Sequence, residues 1–129
     1  MYARASWTWI NFWAAWCGPC KEEIPRLRAW ETKLNAQGAR VQIAFVSLDD
    51  DVRQIQEFLA AQPAIKSTFW LPEGATRSGW LAGLKMKSPQ LPEHALIDGS
   101  GRVRCFIEGA VEDADYAEVA TLLSKAAGP

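Results

Sequence analysis

Cys17-Gly18-Pro19-Cys20 is the stretch of this chain best equipped for chemistry. Two thiols at this spacing can close on each other as a disulfide or reopen, and the interconversion moves two electrons and two protons. The run Trp7 to Trp13 ahead of them is rich in β-formers and almost continuously apolar, as in a strand buried on both faces. After them a helical period begins, with Cys20, Ile24, Leu27 and Leu34 on one side. A strand that runs into C-x-x-C at a helix start places Cys17 at the helix N-terminus. There, unpaired N–H groups and the helix dipole favour a thiolate. Cys17 is therefore the expected nucleophile. Cys20, one turn inside and more shielded, is the expected resolving thiol. Gly18 permits the tight entry, and Pro19 presets the helical φ at a position that needs no N–H donor. Trp13 and Trp16 are expected to pack beside the pair and limit access.

Two blander assignments compete for the same cysteines. With Cys105 and the single histidine, His94, a Cys3His zinc site is arithmetically open. It is disfavoured, because Cys105 alternates with Val103 and Ile107 like a small buried hydrophobe, and His94 sits at a strand entry. A purely structural Cys17–Cys20 disulfide would close almost no loop and stabilise little.

The elements that must hold the dithiol follow from the rest of the chain. It has 129 residues, 49% hydrophobic and 22% charged, a length that suits one domain with its own core. Fourteen basic against fifteen acidic residues give no bias toward nucleic acid or an anionic membrane. The apolar content and seven tryptophans exclude disorder. No stretch approaches the roughly 20 apolar residues that span a bilayer. Residues 1–6 show no signal-peptide pattern, and three cysteines are too few for a disulfide scaffold. Val41 to Val46 reads as a second buried strand. Asp49, Asp50 and Asp51 are candidate caps for a helix presenting Val52, Ile55, Phe58 and Leu59. Between Pro63 and Pro92, glycines and prolines loosen the pattern around a short helix near Trp80 to Leu84, with Phe69, Trp70 and Trp80 expected to be buried. Ala95 to Ile97 and Val103 to Ile107 form a hairpin about the turn Asp98-Gly99-Ser100-Gly101. Asp115 and Glu118 suggest a capping box for a last helix carrying Val119, Leu122, Leu123 and Ala126. Strands alternating with helices point to a layered α/β or α+β domain without repeats.

The segment Asn11 to Pro25 resembles the active-site segment of thioredoxin-like proteins, in particular the extracytoplasmic reductase branch typified by TlpA, ResA and CcmG (DsbE). Leu91-Pro92-Glu93-His94-Ala95-Leu96-Ile97-Asp98-Gly99-Ser100-Gly101 resembles that branch's proline, strand and turn segment. The resemblance implies a three-layer α/β/α sandwich with a mixed central sheet, residues 1–129 forming one domain with a central insertion at about 63–89. The strand or hairpin that family members carry before the Trp7 segment is not evident. Its absence makes Trp7 and Trp9 candidates for an exposed apolar patch, with core packing the favoured alternative. The resemblance further implies a cis bond before Pro92, in a loop that faces the dithiol, and a substrate surface of Trp16, Gly18, Pro19, Leu91 and Pro92. Glu23 matches the acid placed beneath the active site to exchange a proton with Cys20, and Glu22 its solvated neighbour. Pro25 matches the proline that kinks the active-site helix. Asn11 stands where plain thioredoxins carry Asp. His94 and Ala95 depart from the Thr and Phe usual in this branch.

The implied activity is that of a thiol-disulfide oxidoreductase, a protein-disulfide reductase of the kind that serves cytochrome c maturation. No cofactor and no metal are expected. Partners would be protein thiols or disulfides and an upstream thiol donor, not nucleic acid, and the chain would be a monomer. The branch implies a periplasmic or otherwise extracytoplasmic setting, with the cytoplasm as the alternative. A general thioredoxin-like antioxidant reductase and a non-catalytic thioredoxin-fold binding module are the competing functions.

Overall fold

The computed structural model describes residues 6–62, 64–65, 67–86 and 89–124. Pro63 and Ala126, which figured among the sequence expectations, lie outside them. The described elements run β1 (Trp7–Trp13), α1 (Gly18–Ala36), β2 (Val41–Ser47), α2 (Val52–Ala61), β3 (Phe69–Trp70), α3 (Ala75–Gly83), β4 (Glu93–Ile97), β5 (Val103–Glu108), a 3-10 turn (Asp113–Asp115) and α4 (Tyr116–Ser124).

Five strands form one sheet in the order β3-β2-β1-β4-β5. The joints of β1 with β2 and of β2 with β3 are parallel, and those of β1 with β4 and β4 with β5 antiparallel. The sheet is mixed, as expected. β1 is its central strand, which explains why the Trp7 segment carries hardly a polar residue. Alternation along β1 sends Trp7, Trp9 and Trp13 to one face and Ile10 and Phe12 to the other. The first face is covered by α1, α2 and α4 through Ile24, Leu27, Leu34, Ile55, Val119 and Leu123. The second is covered by α3, through Leu81, with Met86 just beyond it. Helices therefore flank the sheet on both sides, in three layers.

Most local expectations are met. Gly38, at φ 97°, follows the end of α1, and Gly101, at φ 89°, closes the β4–β5 turn; both conformations suit glycine. Asp51 caps α2 by accepting the Arg53 N–H at 2.9 Å. Pro25 lies inside α1 and leaves the Lys21 carbonyl without its helical donor. Trp7 and Trp9 are fully buried, because β1 has a strand on each side and three helices above it.

Two expectations fail. Phe69, Trp70 and Trp80 remain 67%, 40% and 41% exposed. Among the described residues, β3 is a two-residue edge strand and α3 the helix on that face, and together they leave the three rings partly open. Trp70 instead donates its indole N–H to the Asp49 carbonyl at 2.8 Å, and Trp80 meets Phe12 edge-on. The capping box lies three residues earlier than expected, between Glu112 and Asp115. A 3-10 turn precedes α4, so the Asp115 carboxylate turns back to the Glu112 N–H at 2.8 Å rather than opening the helix toward Glu118.

Candidate active site

The loop from β1 into α1 is clamped from below. Asp49, buried just after β2, accepts the Ala15 N–H with both carboxylate oxygens at 3.0 Å and the Ser47 hydroxyl at 2.6 Å. Two residues later the Cys17 N–H donates to the Ala14 carbonyl at 3.0 Å, and Cys17 becomes the N-cap of α1. Its Sγ accepts the Cys20 N–H at 3.2 Å, so the sulfur takes the place that an oxygen usually fills in a helix cap. Cys17 and Cys20 are joined as a disulfide, with Cα atoms 5.3 Å apart. Both are buried, Cys20 completely. Gly18 and Pro19 face solvent.

The tryptophans divide. Trp13 packs inside against Phe58 and donates to Thr68 Oγ1 at 3.0 Å. Trp16, expected to pack beside the cysteines, stands 62% exposed because it lies on the solvent side of the clamped loop. The Leu91–Pro92 bond is cis, as the resemblance implies, and the Pro92 carbonyl accepts the Gly109 N–H at 2.9 Å. Trp16 and Leu91 line one open depression of about 830 Å³, whose far wall is α3 with Arg77 and Leu81. Gly18, Pro19 and Pro92 are not part of that lining.

Glu23 lies one turn beyond Cys20 on the same buried face of α1 and is wholly inaccessible to solvent. Asn11 Nδ2 donates to its Oε1 at 3.1 Å, and the Val111 N–H donates to its Oε2 at 2.9 Å. His94 Nε2 lies 3.2 Å from Oε1, and the other ring nitrogen, Nδ1, accepts the Trp9 indole N–H at 2.9 Å. Glu22, by contrast, faces solvent.

Cys105 is half-buried on β5, and burial, with Glu118 nearby, pushes its thiol up from the ordinary range. Among the described residues no three His, Cys, Asp or Glu side chains gather as a metal-binding group.

Three site residues escaped the sequence. Asp49 reads as one of three possible helix caps, and nothing local shows that it holds a loop 34 positions away. Asn11 and His94 are cross-strand partners on β1 and β4, a pairing that only the sheet creates. One signal was there: alternation puts His94 on the same inward face as Leu96, and a buried imidazole needs hydrogen-bond partners.

Comparison with known proteins follows the same lines. A family profile described as AhpC/TSA family matches residues 1–106. The thiol:disulfide interchange protein HelX of Rhodobacter capsulatus is 29% identical over 104 residues, covering 81% of this chain and 53% of that protein. A thiol:disulfide interchange protein DsbE homologue of Paracoccus denitrificans is 32% identical over 108 residues, covering 83% and 53%. The chain thus spans about half the length of these curated relatives. Among solved structures, a Chlorobium tepidum protein assigned as a thiol:disulfide interchange protein DsbE superposes with a TM-score of 0.74 at 30% identity, covering 97% of this chain and 82% of that one. The fold is thioredoxin-like.

Proposed function

This chain belongs to the AhpC/TSA family, and from that premise we propose that it is a thiol-disulfide oxidoreductase that reduces disulfides in partner proteins. One observation carries the proposal: Cys17 caps a 19-residue helix with its sulfur on a backbone N–H, bonded to a second cysteine one turn inside. That environment favours a thiolate at Cys17 once the pair is reduced.

The reduced Cys17 thiolate attacks one sulfur of a substrate disulfide. That S–S bond breaks, one substrate thiolate leaves, and a mixed disulfide forms. Cys20 then loses its proton to the Glu23 carboxylate and attacks Cys17 Sγ. The Cys17–substrate bond breaks, the second substrate thiolate leaves, and the Cys17–Cys20 disulfide forms. Two electrons have passed to the substrate, whose thiolates take up protons from Glu23 and water. An upstream dithiol returns the chain to its reduced form. Disulfide exchange alone transfers the electrons, so the cycle needs no cofactor or metal.

An extended cysteine-bearing segment would lie between Trp16 and Leu91, near Gly18, Pro19 and the backbone of Pro92. The substrate we favour is the haem-attachment segment of an apocytochrome c, in an extracytoplasmic compartment, with one chain acting as one domain and as a monomer. The resemblance to the TlpA, ResA and CcmG branch supports that choice.

The test is a redox titration of the Cys17–Cys20 pair followed by tryptophan fluorescence, together with trapping. A reducing potential is expected. Cys20→Ser should accumulate a mixed disulfide with a cysteine-pair peptide, and Cys17→Ser none. An oxidising potential, or equal trapping by both variants, would refute the assignment.

A further inference from the structure

His94 is the buried titratable group in contact with the Glu23 carboxylate that has no part in the cycle above. Its ring is held at Nδ1, and Nε2, which makes no hydrogen bond of its own, lies against the Glu23 carboxylate. Because Nδ1 accepts the Trp9 indole N–H at 2.9 Å, that nitrogen cannot carry a proton in the neutral ring, and the proton belongs on Nε2. Nε2 is the atom 3.2 Å from Glu23 Oε1. Trp9 is fully buried on the central strand and meets the imidazole edge-on at 5.6 Å, so the ring has little freedom to turn over.

We propose that His94 is the positioning residue for Glu23: Trp9 holds Nδ1, the Nε2 edge of the ring bears on Oε1 at 3.2 Å, and Oε2 is left to take the proton of Cys20. The division of labour between the oxygens follows from the contacts. Oε1 accepts from Asn11 Nδ2 at 3.1 Å and has the His94 Nε2 edge against it at 3.2 Å. Oε2 accepts from the Val111 N–H alone and keeps a lone pair free. The inference rests on the proposed thiol-disulfide cycle, in which Glu23 takes that proton.

Around the imidazole, β1 offers neutral Trp9 and Asn11, and the cross-strand neighbour on β5 is Ile107. From α1 come Glu23 and, farther out, Arg26, whose guanidinium binds the Val111 carbonyl at 2.9 Å. Glu93, next to His94 on β4, points to the opposite face. Glu23 is the carboxylate in contact with the ring, and Glu93 acts on His94 through charge alone.

The experiment is rapid-mixing kinetics that separates attack by Cys17 from resolution by Cys20, using a disulfide peptide. His94→Leu should slow resolution about tenfold, the scale of coupling between contacting residues, and leave the first attack nearly unchanged. His94→Gln should recover most of the loss, because an amide can accept from Trp9 and donate to Glu23. Combined with Glu23→Gln, His94→Leu should add no further slowing. Equal slowing of both steps, failure of the amide to rescue, or losses that multiply in the double variant would each overturn the proposal.

A measurement on the unaltered chain covers the case in which the leucine variant does not fold. Nitrogen-15 correlation spectra should show His94 as the Nε2–H tautomer, with ring shifts that change when the Cys17–Cys20 disulfide is reduced. An Nδ1–H tautomer, or shifts blind to the redox state, would overturn it. The two ideas fail separately: a chain that reduces no disulfide refutes the proposed cycle, whereas normal turnover with an indifferent His94 refutes this inference alone.

Discussion

Glu93 and His94 are neighbours on β4, yet their side chains enter opposite faces of the sheet and meet opposite treatment. His94 enters the face built by α1, α2 and α4, where it and Glu23 engage Trp9, Asn11 and the Val111 backbone. Glu93 enters the thinner face. Loss of water pushes its carboxyl up from the ordinary range, a hydrogen bond with the Gln90 backbone opposes the shift in part, and the cross-strand carboxylate of Glu108 adds to it. The contrast extends to the apolar residues: tryptophans are sealed on the first face and left half-open on the second. In the proposed cycle, proton handling would use the dry, donor-rich face, and recognition of another chain the open one, with the dithiol between them.

The largest expected effects test whether the chemistry belongs to the covered face. Cys20→Ser should reduce turnover to background in a coupled disulfide-reduction assay, whereas Trp80→Ala, on the open face, should leave the resolving step nearly as it was. Comparable loss from both would erase the distinction. Packing gives the next effect. Leu27→Ala, in the fully enclosed core, should cost about 4 kcal/mol in urea unfolding, and Leu81→Ala, under the single helix α3, about 2 kcal/mol, because a thinly covered site collapses more readily around a lost side chain.

A third carboxylate sharpens the comparison. Asp98, inaccessible at the end of β4, is held well below the usual carboxylate range, chiefly by the Ser100 hydroxyl at 2.6 Å, with the Arg102 N–H and Arg104 helping against burial. Its folded pKa lies below its unfolded one. Its contribution to stability is therefore fully present above the ordinary carboxylate value, about 4, and fades as pH falls below it. Asp98→Asn should lower Tm at pH 6 and flatten the loss of Tm between pH 5 and pH 3. Glu93 has the opposite sign: its folded pKa is raised, so stability declines as pH rises from the ordinary carboxylate value through the raised one. Glu93→Gln should raise Tm at neutral pH by a few degrees at most and remove that decline. A lower Tm would mean that the Gln90 contact outweighs the desolvation.

How much of this was legible in sequence depends on how far apart the interacting residues lie. The dithiol, its strand and its helix are one local run, and spacing alone placed Cys17 at the cap and Cys20 inside. The acid at Glu23 and the bend at Pro92 were legible only through resemblance, because a helix glutamate and a loop proline have commoner uses. The Asp49 clamp and the pairing of Asn11 with His94 depend on strand order, which periodicity does not encode. Phe69, Trp70 and Trp80 were misjudged because hydropathy says which side chains gain from burial, not whether enough chain is available to cover them.

The Asp49 clamp also separates two parts of the site that could have been one. It fixes the loop before Cys17 without touching the dipeptide between the cysteines, and Gly18 and Pro19 lie on the solvent side, where a Gly18 Cβ would meet nothing within 4 Å beyond its chain neighbours and the nearby helix backbone. The mounting and the adjustable part are thus independent modules. Side chains can be exchanged between the two sulfurs to retune the couple while the carboxylate bracket beneath keeps the same seat, which makes this chain a practical chassis for a graded series of redox variants.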